Sequence, residues 1–385
     1  MDKVIERIEL MSRLNKKQNL LLEGLDLQLG YGEQSVLKNL SLKLRKGEIL
    51  CLIGANGSGK STILNTVARL ISPLAGKFYL AGEDLKDWSP GELARNLSLL
   101  STGRVQTEKM SCMDIIESGR IPYTGSFGKL KNEDFRIIDQ VIETLEVEDL
   151  CEKNFMEISD GQKQRILLGR ALAQSPELLI LDEPTAFLDI RHKMSIVQIL
   201  RDIADKFQTA MLISLHELDL AQALGDKFLC LKDGEVLAYG NAEDVFTKDL
   251  IKELYDLEAG YCPLFNSFEH IPETWEIPPY FVLGGNGKAI PTYRRLQKEN
   301  TPFVTGILHS NDVDYYLAAE IAQEIVVEKA FQPISAAKLE TAKALVKRTP
   351  SFINCLSPED FGIINSANRE LLNLAESLGK VVELD

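Results

Sequence analysis

The chain contains a glycine-rich loop that ends in lysine and serine, at Gly54–Ser61 (GANGSGKS). The spacing matches the pattern GxxxxGK[ST], in which glycines allow backbone N–H groups to close around phosphates. The ammonium group of Lys60 can reach the outer phosphates, and the hydroxyl of Ser61 is a ligand for Mg²⁺. The loop therefore predicts a nucleoside triphosphate site made of Gly54, Asn56, Gly57, Ser58, Gly59, Lys60, Ser61 and Thr62.

An apolar run that ends in two carboxylates, LLILDEP, occupies residues 178–184. Asp182, at the end of a buried strand, can hold the shell of a Mg²⁺ ion. Glu183 can act as the general base that takes a proton from an attacking water. Such a run is common by itself, but downstream of the glycine-rich loop it predicts a P-loop nucleoside triphosphatase.

A third stretch, ISDGQ at residues 158–162, precedes a helical pattern. The hydroxyl of Ser159 and the backbone N–H of Gly161 lie at a predicted helix start, where such groups can bind an anion. Serine or aspartate there is also typical of an ordinary helix N-cap. The two interpretations are compatible, because one side chain can cap the helix and also meet a ligand.

ISDGQ resembles the LSGGQ signature of ATP-binding cassette (ABC) ATPases, with Asp160 where the family has glycine. The order of glycine-rich loop, signature and LLILDEP is that of the family, and the resemblance covers about residues 20–255. It implies two copies that hold two ATP molecules. Each ATP would lie between the Gly54–Ser61 loop of one copy and Ser159, Gly161 and Gln162 of the other.

Three further positions fit the family. Phe187-Leu188-Asp189 resembles the D-loop that couples the two sites, and His216 resembles the switch histidine that contacts the γ-phosphate. Tyr31 matches the aromatic residue that stacks on adenine. A lone histidine is more often structural, and the local pattern fits an ordinary strand-end tyrosine equally well.

One position departs from the family, which has a glutamine at the end of the strand leading into the helical subdomain. Here the stretch LSLLSTGRVQTEKM places Thr102 at that position and Gln106 a few residues later. Because a threonine hydroxyl can still bind Mg²⁺ or water, we predict Thr102 as a further metal ligand.

The elements that must position these residues follow an α/β order. Strand-like runs precede the loop, helical patterns dominate after residue 90, and strands return at residues 178–182 and 210–215. This order predicts a P-loop core with a helical insertion. A second alternation of strands and helices near the C-terminus predicts a small parallel, Rossmann-like sheet. The expected divisions are a helical extension (1–19), an ABC ATPase domain (20–257), a proline-rich linker (258–279) and an accessory α/β domain (280–385).

The accessory domain has a second glycine-rich loop, with Gly284, Gly285 and Gly287 after a predicted strand. The loop fails GxGxxG, because Ile290 stands where the last glycine should be, so a tight turn is favoured over a dinucleotide site. His309, Asn311 and Asp312 follow the next strand, at the edge where parallel sheets bind ligands. A structural or dimer-stabilising module is favoured over a regulatory ligand pocket.

Composition narrows the class of function. The 385 residues have a net charge of −14, with scattered charges, which disfavours nucleic acid as a partner. No apolar run approaches the roughly 20 residues that cross a bilayer. We therefore expect any membrane role to be exercised peripherally, at the cytoplasmic face, through partner subunits.

The stretch GRIPY (119–123) resembles a segment of importers for iron-siderophores, haem and cobalamin. In those importers it lies beside the groove that receives a helix of the membrane permease. The resemblance implies an importer ATPase that uses ATP and Mg²⁺, works as a homodimer on permease subunits, and is served indirectly by an extracytoplasmic substrate-binding protein. The alternative is a soluble ABC ATPase with a ligand-sensing C-terminal domain.

Overall fold

The computed structural model describes most of the chain, and the described ranges are 19–101, 109–125, 128–186, 188–257 and 260–383. The chain forms two compact units that divide between Val245 and Phe246. Each unit has its own sheets and its own buried apolar side chains.

The first unit contains an antiparallel sheet in the order β2-β1-β4-β5. Its strands are β1 (Leu20–Tyr31), β2 (Gln34–Arg45), β4 (Ala75–Leu80) and β5 (Glu83–Asp84). Leucines of β1 and β2 belong to one buried cluster with the first strand of the central sheet and the helix after it. This sheet therefore holds the end of β1, where Tyr31 lies, beside the glycine-rich loop.

The central sheet has the order β10-β9-β3-β8-β7-β6, with only β10 antiparallel to its neighbour. Its strands are β3 (Ile49–Ile53), β6 (Leu97–Leu100), β7 (Leu178–Asp182), β8 (Ala210–Ser214), β9 (Lys227–Lys232) and β10 (Glu235–Gly240). Every residue of β3 and β8 is buried, as expected for strands covered on both faces. Because β3, β7 and β8 are parallel neighbours, their carboxyl ends meet at one edge.

Helices cover this sheet and form an insertion between β6 and β7. They are α1 (Lys60–Val67), α2 (Pro90–Asn96), α3 (Cys112–Ser118), α4 (Asn132–Leu145), α5 (Asp160–Ala173), α6 (Ile190–Phe207), α7 (Leu218–Leu224) and α8 (Ala242–Val245). The helices α3, α4 and α5 form the insertion. The predicted P-loop core with a helical insertion is confirmed.

The second unit is built on a parallel sheet in the order β15-β14-β13-β16. Its elements are α9 (Lys248–Tyr255), β11 (Gly260–Cys262), β12 (Ser267–Glu269), β13 (Tyr280–Leu283), α10 (Ile290–Lys298), β14 (Phe303–His309), α11 (Val313–Ile321), β15 (Glu324–Glu328), α12 (Ala336–Arg348), β16 (Ser351–Asn354) and α13 (Asn368–Ser377). The predicted Rossmann-like arrangement is confirmed. The order of the strands reverses between β13 and β16.

The end of the ATPase domain expected at residue 257 stays a prediction, while the compact units divide between Val245 and Phe246. Residues from Phe246 onward group with the second unit, where Lys248 forms a 2.7 Å ion pair with Glu320. The segment expected as a linker, 258–279, contains the β11–β12 hairpin, in which Glu269 is fully buried. A carboxylate can be buried there because Arg294 and Gln297 bind it, which local sequence does not reveal.

In the ranges described above, no helix is both long enough and apolar enough to cross a membrane.

Candidate functional site

The glycine-rich loop joins the buried end of β3 to the first turn of α1. The N-cap residue Gly59 has a left-handed φ of 106° and no side-chain cap. A Cβ on Gly59 would lie 2.6 Å from the Cδ1 atom of Leu37, so only glycine fits. The first N–H groups of α1 therefore face the loop without a capping side chain, which is the arrangement that binds phosphate.

Lys60 is held inside this loop. Its ammonium group donates hydrogen bonds to the carbonyl oxygens of Gly54 (2.8 Å) and Ala55 (3.0 Å). Burial lowers the pKa of Lys60, and the negative charges of Glu183 and Asp182 oppose that shift. A cation in this position suits a strongly anionic ligand.

A cavity of about 310 Å³ opens over the loop. The described residues that line it are Tyr31, Val36, Asn56, Gly57, Gly59, Lys60, Ser61, Thr62 and Glu183. The side-chain oxygen of Ser58 is buried and has no hydrogen-bond partner in the described structure. Ser58 is not among the residues that line the cavity, so the cavity is a candidate anion site through Lys60 and the uncapped N–H groups of α1.

The paired carboxylates lie at the carboxyl end of β7, and a serine on the neighbouring strand β8 joins them. The hydroxyl of Ser214 donates to Asp182 (2.6 Å) and accepts the backbone N–H of Glu183 (2.9 Å). Glu183 adopts a φ of 49°, which is uncommon for a residue with a side chain. Sequence reasoning missed Ser214, although a polar residue ending an otherwise apolar strand was a signal.

His216 contacts the predicted general base directly. The distance between His216 Nε2 and Glu183 Oε1 is 2.5 Å. The two side chains are about one-third exposed, so solvent or a ligand can reach them. The histidine therefore orients one oxygen of the carboxylate and leaves the other for a water.

The signature residues form a capped helix start. Ser159 is the N-cap of α5 and accepts the N–H of Gln162 (3.3 Å), while the Gln162 side chain accepts the N–H of Ser159 (3.0 Å). These residues and Gly161 are not among the described residues that line the cavity over the loop.

Asp189 is the N-cap of α6, and it accepts hydrogen bonds from both the backbone N–H and the ring of His192. These bonds lower the pKa of the Asp189 carboxyl. Thr102 and Gln106 lie outside the described residues, as does Phe187, so the predicted role of Thr102 stays a prediction.

Comparison with known proteins identifies the family. Residues 37–186 match the ABC transporter family. An uncharacterized ABC transporter ATP-binding protein of Methanocaldococcus jannaschii is 40% identical over 289 residues, which are 75% of this chain and the whole of that protein. The chain belongs to the ABC transporter ATP-binding family. It is an ATPase of that family, as the signature predicts.

Other relatives of this ABC ATPase have named roles. The iron(3+)-hydroxamate import ATP-binding protein FhuC of Bacillus subtilis is 34% identical, over 60% of this chain and 87% of its own length. The cobalamin import ATP-binding protein BtuD of Halobacterium salinarum is 30% identical, over 77% of this chain and 76% of its own.

Solved structures support the fold. An inward-facing ABC transporter of metal-chelate type matches with a TM-score of 0.55 and 27% identity, over 62% of this chain and 90% of that one. Residues 303–385 match the MJ0874 family, so the second unit has relatives of its own.

The GRIPY segment of this ABC ATPase has a buried arginine that holds helices together and an exposed isoleucine. The Arg120 guanidinium is buried, donates to Asp134 (2.8 Å) and to the carbonyl of Ala173 (2.7 Å), and lies 3.8 Å from the ring centre of Tyr123. The arginine thereby joins α3, α4 and α5. Ile121, between these two residues, has 66% of its surface exposed. The exposed part of the segment is therefore the isoleucine.

The glycine-rich loop of the second unit is not arranged like the first. Its backbone N–H groups already have acceptors, because Gly285 donates to Asp314 (2.6 Å) and Asn286 donates to Asp312 (3.0 Å). A pyrophosphate needs such N–H groups free, and its charge would meet two carboxylates. The geometry agrees with the tight turn that the sequence favours.

Proposed function

We propose that this ABC ATPase energises a membrane importer of metal chelates of the iron-siderophore, haem or cobalamin class. The observation that supports ATP hydrolysis best is the Glu183–His216 pair, at 2.5 Å, because Glu183 also lines the cavity that contains Lys60. The import role rests on relatives named as import ATP-binding proteins for iron(3+)-hydroxamate and cobalamin.

The chemistry follows from the positions of the side chains. The α1 N-terminus and Lys60 would bind the β- and γ-phosphates, and Tyr31 at the cavity wall would stack on adenine. Ser61 and Asp182 would hold Mg²⁺, which supplies positive charge to the phosphate oxygens. The donor set fits this ion, because hydroxyl and carboxylate oxygens are its preferred ligands.

Hydrolysis requires a positioned water as well as bound phosphate. The Glu183 carboxylate would take a proton from that water, while His216 holds the carboxylate by one oxygen and meets the γ-phosphate. Ser214 fixes the backbone of Glu183 against Asp182, so the base and the metal ligand keep their relative places. Positioning and electrostatic stabilisation supply most of the rate acceleration.

The active assembly would be a homodimer. The signature residues of one chain do not line the described cavity of that chain, and a second copy would bring Ser159, Gly161 and Gln162 to the ATP. Closure of the two copies would drive the permease, and product release would reopen them.

The partner in the membrane would be a permease that accepts the cassette near Ile121. That side chain is exposed and apolar, and the buried Arg120 and the half-buried Tyr123 hold its segment in place. The chain would then lie peripherally at the cytoplasmic face of the membrane, and a substrate-binding protein would act on the far side through the permease.

The test uses Glu183→Gln, which keeps the shape of the side chain but removes the base. We expect this variant to bind ATP, to lose hydrolysis and to accumulate as a dimer with ATP and Mg²⁺. Purification of the tagged variant from its native cells in mild detergent should recover a multi-spanning permease, identified by mass spectrometry. Wild-type hydrolysis would refute the assignment of Glu183, and recovery of ribosomes or of no membrane protein would refute the importer role.

A further inference from the structure

The first turn of α6 connects two parts of the site that are distant in sequence. This turn begins at the N-cap Asp189 and contains His192 and Lys193 side by side. Neighbouring residues of a helix point in directions about 100° apart, so they reach different surroundings. Here His192 reaches the signature, and Lys193 reaches the segment that follows His216.

His192 lies against the signature glycine. Its backbone N–H (2.9 Å) and its ring Nδ1 (2.8 Å) both meet the same oxygen of Asp189, which fixes the ring. A Cβ on Gly161 would lie 2.7 Å from the Cδ2 atom of His192. The ring therefore occupies the space beside Gly161, and the start of α5 cannot approach α6 further.

A second contact joins the same two helices about one turn further along. The guanidinium of Arg165 donates to the hydroxyl of Ser195 at 2.6 Å. With His192 beside Gly161, α5 and α6 are held at two successive levels. A displacement of the first turn of α6 must therefore also displace the signature at the start of α5, because close-packed groups transmit strain.

Lys193 points away from the signature and toward the segment that bears His216. Its ammonium group forms an ion pair with Glu217, the residue after His216. The second oxygen of Glu217 accepts the hydroxyl of Thr185 (3.1 Å), two residues after Glu183. The lysine thereby ties α6 to both segments that bear the catalytic pair.

We propose that His192 and Lys193 are positioning residues that couple the catalytic pair of one site to the signature that serves the other site. When the Glu183–His216 pair shifts with the state of its nucleotide, Lys193 moves the first turn of α6 and His192 moves Gly161. This inference rests on the composite homodimer proposed above. The contacts themselves lie within one chain and do not require the dimer.

The experiment measures ATP binding, ATP-dependent dimerisation and hydrolysis separately. The variants are His192→Ala and Lys193→Met, with Met194→Ala as the matched control, because Met194 is the next residue of the same helix and is half exposed. We expect the monomer to bind ATP with unchanged Kd in all three. We expect kcat, and dimerisation in a Glu183→Gln background, to fall about tenfold for His192→Ala and Lys193→Met only.

The double variant separates coupling from simple loss of stability. If the two residues act in series, the kcat of the double variant His192→Ala, Lys193→Met should be no lower than that of the more impaired single variant. If they act independently, the two fold-losses in kcat should multiply. The proposal is overturned if the losses multiply, if ATP binding falls in parallel with kcat, or if both single variants behave like Met194→Ala. Absence of ATP-dependent dimers in Glu183→Gln itself would instead refute the proposed function.

Discussion

Replacement of Arg120 by methionine tests whether the importer-like segment is built around a buried ion pair. The guanidinium is 3% exposed and Asp134 is similarly buried, so the variant leaves a carboxylate without its cation in the interior. Breaking a buried pair on one side costs about 3–5 kcal/mol. The backbone N–H of Lys131 still donates to Asp134 (2.8 Å), so we expect a loss of about 3 kcal/mol, at the lower end of that range.

For a unit of this size, each kcal/mol lowers Tm by about 2–4 °C, so Arg120→Met should melt about 6–12 °C lower. The assay is thermal unfolding of the full chain followed by circular dichroism. The double variant Arg120→Met, Asp134→Asn should recover at least half of the loss, because no unpaired charge remains and the asparagine oxygen still accepts the N–H of Lys131.

The matched control is the neighbouring Ile121→Glu, which changes an exposed side chain and should leave Tm unchanged. It should instead weaken the stimulation of ATPase activity by the permease. A decrease in Tm of less than about 2 °C for Arg120→Met would refute the buried-pair argument. Weakened permease stimulation by Arg120→Met at unchanged Tm would give the arginine itself a role in docking.

Two other predictions address the catalytic edge and the second unit. Ser214→Ala removes the hydroxyl between Asp182 and Glu183, so kcat should fall about tenfold while Kd for ATP stays within about twofold. Steady-state kinetics and ATP titration measure the two constants, and an unchanged kcat would contradict the prediction. Glu328 accepts two N–H groups and the Ser335 hydroxyl, which lower its pKa from 4.5 to about 2. The stabilising contribution of Glu328 is therefore complete above pH 4.5 and is lost as pH falls toward 2. The Tm difference between wild type and Glu328→Gln, measured in melts of the full chain, should shrink over that pH range. A Tm difference that stays constant with pH would contradict the prediction.

Much of the candidate nucleotide site could be predicted because its residues are close together in sequence. The loop from Gly54 to Ser61 needs a strand before it and a helix after it, and both flanking elements are visible as local patterns. The fold could also be predicted, because alternating strands and helices permit few arrangements with short connections. The ordered hairpin within residues 258–279 was harder to predict, because the burial of Glu269 depends on Arg294 and Gln297, which follow it by more than twenty residues.

The sequence alone determined the class of this protein, through the loop, the signature and the paired carboxylates, since each needs only a few consecutive residues in a helix start or strand end. Only the tertiary structure decided which other side chains support them. Ser214 reaches Asp182 because β7 and β8 are adjacent parallel strands, and His192 reaches Gly161 because α5 and α6 pack together. Such contacts join residues about thirty positions apart, and only the packing of the chain brings them within bonding distance.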